Sequence, residues 1–196
     1  MQVELNHAPT MAELRRLDPY GIFVTMGGQQ IVPDIPGIDR ENVFGIEDIL
    51  LGRRVIEGRK VAVIGGGHVG LEVAHFLCAN NKVTIVEMAD EIGASVYYIT
   101  KFKLLPLLRE AGVTFRTGQA IAAVDDGSIR LRDTHTGQCT ELKAEAVVLA
   151  MGSRPDLAAR AAFDRNFDHV VYAGDAVRGG TMLEANRDAF ALAWEF

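Results

Sequence analysis

The alternation of apolar and polar residues predicts an α/β protein built around a strand-helix-strand unit. Residues 61–64 are all apolar, as expected of a parallel strand that is covered on both faces. Between residues 69 and 77, apolar side chains recur at helical spacing, and residues 83–86 form a second apolar strand. A longer helix is predicted over residues 92–110, with a kink near Pro106.

A different pattern follows, in which short segments of alternating polarity are separated by turn residues. The turn signals Asp126-Gly127 and Thr136-Gly137 favour an antiparallel β-meander. The predicted strands of this meander lie at residues 113–115, 121–124, 129–131 and 140–142. Another fully apolar strand is predicted after it.

The two ends of the chain show weaker patterns. Thr10 is followed three residues later by Glu13, the pattern of a capping box, which predicts a short helix over residues 11–17. Pro33 and Pro36 favour an extended connection. The remaining predicted segments are strands at 2–5, 22–24 and 170–173, an irregular stretch at 158–166 and a final helix at 182–194.

Composition narrows the class of protein. The chain has 196 residues, of which 48% are hydrophobic and 23% charged, so it can bury a core of its own. A formal net charge of -6 argues against a nucleic-acid binder, and no apolar run approaches the length of a membrane span. The N-terminus lacks a secretory signal pattern, and two cysteines cannot form a disulfide framework. We therefore expect a cytoplasmic protein without nucleic-acid or membrane partners, and the scattered histidines predict no metal site.

A glycine cluster, GGGHVG at residues 65–70, follows the first apolar strand and opens the predicted helix. It fits G-x-G-x-x-G, in which Gly65 allows a tight turn, Gly67 lets the backbone approach a pyrophosphate, and Gly70 lets the helix pack on the strand. The N-terminus of the helix then offers N–H groups to the phosphates. The alternative is a glycine-rich turn without a ligand. With this motif, the predicted fold is a Rossmann-like parallel sheet with the antiparallel β-meander inserted in it.

An acidic residue, Glu87, ends the next strand, where a carboxylate can accept hydrogen bonds from both ribose hydroxyls and repel a 2′-phosphate. No Arg or Lys lies between Met88 and Thr100 to receive such a phosphate, so NAD(H) is expected rather than NADP(H). The predicted NAD(H) site consists of Gly65, Gly66, Gly67, His68, Val69, Gly70, Glu87 and Met88.

Three further residues allow two interpretations each. Glu72, placed in the first turn of the nucleotide helix, either stabilises the positive helix end or lies near the nicotinamide. Asp175 follows the last strand, and is either a ligand contact at a strand's carboxyl end or a turn residue. His68 either approaches the phosphates or faces solvent.

Two segments of the chain are similar to each other, since each has an apolar strand followed by Met-Gly and then a proline. They are residues 24–39 (VTMGGQQIVPDIPGID) and 147–156 (VVLAMGSRPD). They resemble the two segments at which flavoproteins of the pyridine nucleotide–disulfide oxidoreductase superfamily cross between an FAD domain and an NAD(P) domain. Both have Met where the family usually has Thr. The resemblance implies that Gly27 and Gly152 mark the crossings.

A closer resemblance covers nearly the whole chain. The segments VAVIGGGHVGLEVAHFL, VTIVEMADEIG and GDAVRGGTMLEANRDAFALA are similar to the C-terminal region of the old yellow enzyme–related 2-enoate and 2,4-dienoyl-CoA reductases. This resemblance implies an oxidoreductase in which NADH passes hydride to FAD, with Glu72 as a catalytic residue near the nicotinamide. It also assigns Gly174 and Asp175 to the FAD ribityl chain and the backbone N–H of Met182 to the flavin ring.

One part of the family pattern is absent from the sequence. The family's FAD domain begins with its own G-x-G-x-x-G unit, and we expect this chain to start after it. The implied domains are an NAD(H)-binding domain at 46–156 and a partial FAD-binding domain at 1–45 and 157–196. The chain is then either an oxidoreductase module or a non-catalytic NAD(H)-binding or partner-binding module that cannot hold FAD alone. Besides the nicotinamide dinucleotide, the expected partner is a chain or domain that supplies the missing FAD half, or a second copy of this chain.

Overall fold

The computed structural model describes residues 2–195 and has mixed α/β architecture. The strands are β1 (Ile22–Val24), β2 (Gly28–Gln30), β3 (Val43–Gly45), β4 (Lys60–Ile64), β5 (Lys82–Val86), β6 (Thr114–Arg116), β7 (Gln119–Val124), β8 (Ser128–Asp133), β9 (Cys139–Lys143), β10 (Ala146–Leu149), β11 (Ser153–Pro155) and β12 (Val170–Tyr172). The helices are α1 (Met11–Arg16), α2 (Ile46–Leu50), α3 (His68–Leu77), α4 (Tyr98–Glu110), α5 (Leu157–Asp164) and α6 (Met182–Glu195), with a 3-10 turn at Gly174–Ala176.

A five-stranded parallel sheet, in the order β3-β10-β4-β5-β6, confirms the predicted Rossmann-like core. The strands at its centre are apolar throughout because both faces of the sheet are covered. On one face, Val63 packs in a cluster with Leu71 of α3. On the other face, Ile64 packs in a cluster with Ile129 of β8.

The antiparallel meander is confirmed, but it has three strands, β7-β8-β9, rather than four. The prediction that residues 113–115 belong to it was wrong. These residues contribute to β6, which pairs in parallel with β5 through the partners Ile85 and Phe115. A short strand can join either sheet, because its local pattern does not specify which neighbour will supply its hydrogen bonds.

The chain divides into two compact units at positions that differ from the expected domain boundaries. One unit combines the chain up to Gln29 with the chain from Ser153 onward, and the other is Gln30–Gly152. The expected boundaries were 45/46 and 156/157. Residues 30–45 belong with the parallel sheet because β3 pairs with its central strand β10, for example Val43 with Val147.

Three other local predictions need correction. Residues 2–5 form no strand, because no strand in the described chain pairs with them and their apolar side chains are exposed. Residues 158–166, expected to be irregular, contribute to α5, whose N-cap Asp156 accepts a hydrogen bond from the Ala159 N–H at 2.9 Å. Helix α4 begins at Tyr98 rather than at residue 92.

The capping box of α1 is confirmed, with Thr10 and Glu13 exchanging hydrogen bonds. Over residues 2–195, no helix is long and apolar enough to cross a membrane. Within the same residues, no group of three or more His, Cys, Asp or Glu side chains could hold a metal ion.

Candidate dinucleotide-binding site

Close backbone approaches require glycine at Gly65, in the loop between β4 and α3, and at Gly70, in the first turn of α3. Gly65 has a φ of +111°, and a Cβ there would lie 2.3 Å from the carbonyl oxygen of Ala150. A Cβ at Gly70 would lie 2.0 Å from the carbonyl oxygen of Gly65. Any larger residue would force the loop, the first turn of α3 and the end of β10 apart. These two glycines therefore serve the packing of helix against sheet.

Gly67 is different, because a Cβ there would meet nothing within 4 Å. It is the N-cap of α3, and no side chain caps the helix at this position. The first N–H groups of a helix have no acceptor within the helix, and they carry its positive dipole end. An open space in front of free N–H groups is where an anion such as a pyrophosphate can bind.

Glu87 lies at the end of β5, and its carboxylate is half-buried against the glycine loop. One oxygen, Oε2, accepts a hydrogen bond from the Gly66 N–H at 2.7 Å. The other, Oε1, accepts one from the Ala89 N–H at 2.8 Å. A carboxylate oxygen has two lone pairs, so each can accept a further bond from a hydroxyl group. The structure thus brings the predicted ribose ligand into direct contact with the predicted phosphate loop.

Glu72 lies in the second turn of α3, not the first as expected, because the helix begins at His68 and Glu72 is its fifth residue. Its Oε1 lies 3.1 Å from Nε2 of His68. Both side chains are about half exposed and one helical turn apart. Val69 and Met88, also predicted to contribute to the site, are exposed as well.

The glycines predicted at the two crossings have backbones that favour glycine, with φ of +81° at Gly27 and +87° at Gly152. The two boundaries between the compact units lie within three residues of them. Gly174 likewise has a positive φ of +61° and begins the 3-10 turn.

The carboxylate of Asp175 accepts a hydrogen bond from the Ser153 hydroxyl at 2.8 Å. Met182 is 80% exposed and is the first residue of α6. Residue Thr181, just before it, exchanges hydrogen bonds with Glu184 in a second capping box. Hydrogen bonds from the Thr181 N–H and hydroxyl to the Glu184 carboxylate are the main reason that the pKa of Glu184 lies below its usual value.

Two positions that sequence reasoning missed lie beside Asp175. Ser153 orients its carboxylate, and a Cβ at Gly28 would lie 2.7 Å from the carbonyl oxygen of Arg154 and 3.2 Å from that of Asp175. The paired glycines at 27 and 28 were a signal for the second position. Nothing local marked Ser153, because its partner is 22 residues away in sequence.

A family model and several known proteins match this chain. Residues 4–170 match the family model described as pyridine nucleotide-disulphide oxidoreductase. The chain is 31% identical over 185 residues to an NADH oxidase of Thermoanaerobacter brockii, covering 91% of the chain and 28% of that protein. It is 27% identical to a cinnamate reductase of Clostridium sporogenes, covering 98% of the chain and 29% of that protein.

Among solved structures, a 2-naphthoyl-CoA reductase complex aligns with a TM-score of 0.84 and 25% identity, covering 98% of this chain and 29% of that one. Histamine dehydrogenase from Rhizobium sp. 4-9 aligns with a TM-score of 0.81 at 18% identity, over 97% of this chain and 33% of that one, which shows the shared fold. The chain thus spans roughly three tenths of the length of these proteins. On the family match and on the architecture of its glycine loop, the chain belongs to the pyridine nucleotide–disulfide oxidoreductase family.

Proposed function

We propose that this chain is an NAD(H)-binding oxidoreductase module that holds NADH for hydride transfer to FAD. The observation that carries the proposal is the open position at Gly67, in front of the uncapped N-terminus of α3, with Glu87 bonded to the same loop. The glycine loop fits a dinucleotide because Gly65 and Gly70 close the turn while Gly67 leaves it open.

Each group of the site has a proposed role. The N–H groups at the start of α3 would bind the pyrophosphate, next to His68 and Val69. Glu87 would accept hydrogen bonds from the ribose hydroxyls and repel a 2′-phosphate. Glu72 is the proposed catalytic residue near the nicotinamide, with His68 at 3.1 Å to orient its carboxylate.

When bound, the nicotinamide and the flavin supply the redox chemistry, and the protein supplies binding and orientation. Within the family, we place the chain nearest the old yellow enzyme–related reductases. The matches to a cinnamate reductase and a 2-naphthoyl-CoA reductase over 98% of the chain support this placement. The final electron acceptor would belong to parts of such proteins that this chain does not match.

Our proposal for FAD concerns the unit made from the two ends of the chain, which we assign to part of an FAD-binding domain. Gly174, Asp175 and the N-terminus of α6 would contact the flavin. In this unit, α1, α5 and α6 contain no buried residue. Along α6, large apolar side chains are exposed, namely Met182, Leu183, Phe190 and Trp194.

These exposed side chains favour a second candidate function, an NAD(H)-binding module that holds FAD only together with a further polypeptide segment carrying the other FAD fingerprint. A contiguous exposed apolar surface often marks an interface. The visible absorption spectrum of the purified chain distinguishes the two candidates. Flavin absorption retained after addition of FAD and bleached by NADH supports the oxidoreductase module. Binding of NADH without retention of flavin supports the second candidate.

The role of Glu87 is tested by titrating the chain with NADH and NADPH and following cofactor fluorescence. We expect NADH to bind more tightly, and we expect Glu87→Gln to weaken NADH binding and reduce the discrimination against NADPH. Glu110→Gln is the matched control, since it removes the same charge from an exposed side chain at the C-terminal end of α4. Tighter binding of NADPH than of NADH by the unmodified chain would contradict the assigned role.

A further inference from the structure

The segment that follows β5, residues 87–90, carries the proposed ribose ligand and is held in place by the meander. The Gly118 N–H donates to the carbonyl oxygen of Ala89 at 2.9 Å. The Gln119 N–H donates to the carbonyl oxygen of Glu87 at 3.0 Å. The start of β7 thus fixes the backbone of the segment on one side.

The turn between β8 and β9 lies against the same segment. The Thr134 hydroxyl donates to the carbonyl oxygen of Gly118 at 3.0 Å and lies 3.4 Å from that of Met88. Nε2 of His135 lies 2.6 Å from Oδ1 of Asp90, across 45 positions of sequence. This imidazole–carboxylate pair joins the tip of the meander to the end of the segment.

The surroundings of His135 favour its protonated form. The carboxylate of Asp90 raises the pKa of His135 by hydrogen bonding and by its charge, and Asp133 of β8 adds a smaller effect of the same sign. The ring also lies near Gly118, whose backbone is uncharged. The charged groups that act on the imidazole are the carboxylates of Asp90 and Asp133.

We infer that His135 is a positioning residue for NAD(H), which acts through Asp90 on the segment that presents Glu87 to the ribose. The connection is short, because the Ala89 N–H next to Asp90 donates to Oε1 of Glu87. When His135 and Asp90 are paired, this N–H and the carboxylate that it orients stay fixed. The inference rests on the proposed function, since it concerns the same NAD(H) site.

The pairing depends on pH in a defined direction. Because the pKa of His135 is raised in the folded protein, the charge-assisted pair is complete at low pH and is lost as pH rises through that pKa. The affinity for NADH should therefore fall as pH rises above the ordinary histidine value of 6.5. We expect a change on the order of two- to fivefold, the range for an exposed ion pair.

The experiment is a fluorescence titration with NADH at a series of pH values from below to above neutrality. His135→Gln should bind NADH more weakly at low pH and lose most of the pH dependence. His135→Lys keeps a cation and should restore affinity while removing the pH dependence, which a merely structural role would not do. His75→Gln, on the exposed face of α3, is the control, and thermal unfolding shows that each variant is folded.

The possible results separate two failures. If the unmodified chain binds no NADH, the proposed function fails and the inference fails with it. If the unmodified chain binds NADH and His135→Gln has the same dissociation constant and pH profile, the inference alone is overturned. The inference is supported if His135→Gln and Asp90→Asn lose the same amount of NADH affinity and His135→Lys recovers it.

Discussion

Alanine substitution at Gly67 and at Gly70 should separate what the fold requires from what the ligand requires. Gly67 is the N-cap of α3 and Gly70 lies in its first turn, and the same methyl group is added in both variants. At Gly70, the added Cβ would lie 2.0 Å from the carbonyl oxygen of Gly65 and 3.4 Å from Cβ of Ala150. At Gly67, it would meet nothing within 4 Å, and the φ of -75° suits alanine.

The expected costs follow from these distances. Overpacking against backbone costs about 1–3 kcal/mol, and the short contact at Gly70 places it near the upper value. Inside a helix, alanine is about 1 kcal/mol more stabilising than glycine, which offsets part of this cost. The net destabilisation of Gly70→Ala is therefore about 2 kcal/mol. Replacing the N-cap glycine by alanine in Gly67→Ala should change the free energy of unfolding by less than about 1 kcal/mol.

The assay combines thermal unfolding, followed by far-UV circular dichroism, with NADH titration of each variant. For a chain of this size, Gly70→Ala should lower Tm by about 4–8 °C, at about 2–4 °C for each kcal/mol. Gly67→Ala should nearly keep the Tm but bind NADH at least about tenfold more weakly, because its methyl group fills the space in front of the helix N-terminus. The reasoning is refuted if Gly67→Ala binds NADH normally, or if Gly70→Ala keeps the Tm of the unmodified chain.

Two further predictions concern the unit formed by the chain ends. Asp156→Ala should destabilise α5 by about 1 kcal/mol in urea unfolding, because the Ala159 N–H loses its acceptor, whereas Asp156→Ser should keep most of the cap. Burial, followed by a hydrogen bond to Asp164, raises the pKa of Tyr172 to about 12, so ultraviolet titration should show one tyrosine ionising there, and Tyr172→Phe should remove that step. Since the folded pKa is raised from 10.0, the stability that this phenol contributes is complete below pH 10 and is lost as pH rises towards 12. A tyrosine ionisation near pH 12 that persists in Tyr172→Phe would contradict the assignment of that pKa. Equal stability of the two Asp156 variants would contradict the role of the cap.

The parallel core could be predicted because its signals are local. The apolar run of β4 and the glycines at 65 and 70 have direct physical causes, burial on both faces and contacts too close for a side chain. The N-cap of α5 also has a local signal, since Asp156 precedes an alanine-rich stretch. Local patterns thus account for most of the helices and strands.

Other features depend on contacts that the local pattern does not contain. Residues 113–115 have the composition of a strand, but only the folded chain shows that β6 pairs with β5 rather than with the meander. Residues 2–5 alternate in polarity and still form no strand, because a strand needs a neighbour. The contact of His135 with Asp90 joins residues 45 positions apart, so it follows from the fold alone.

The central claim is that NADH binds across the glycine loop and the end of β5. The measurement that tests it most directly is an NMR titration of the isotopically labelled chain with NADH, followed through its backbone amide signals. We predict saturable shifts at Gly67, His68 and Val69, where the amide groups would meet the pyrophosphate. We also predict them at Gly66, Glu87 and Met88, around the carboxylate that would bind the ribose. Shifts confined to other parts of the chain, or no shifts in a folded sample, would contradict the account.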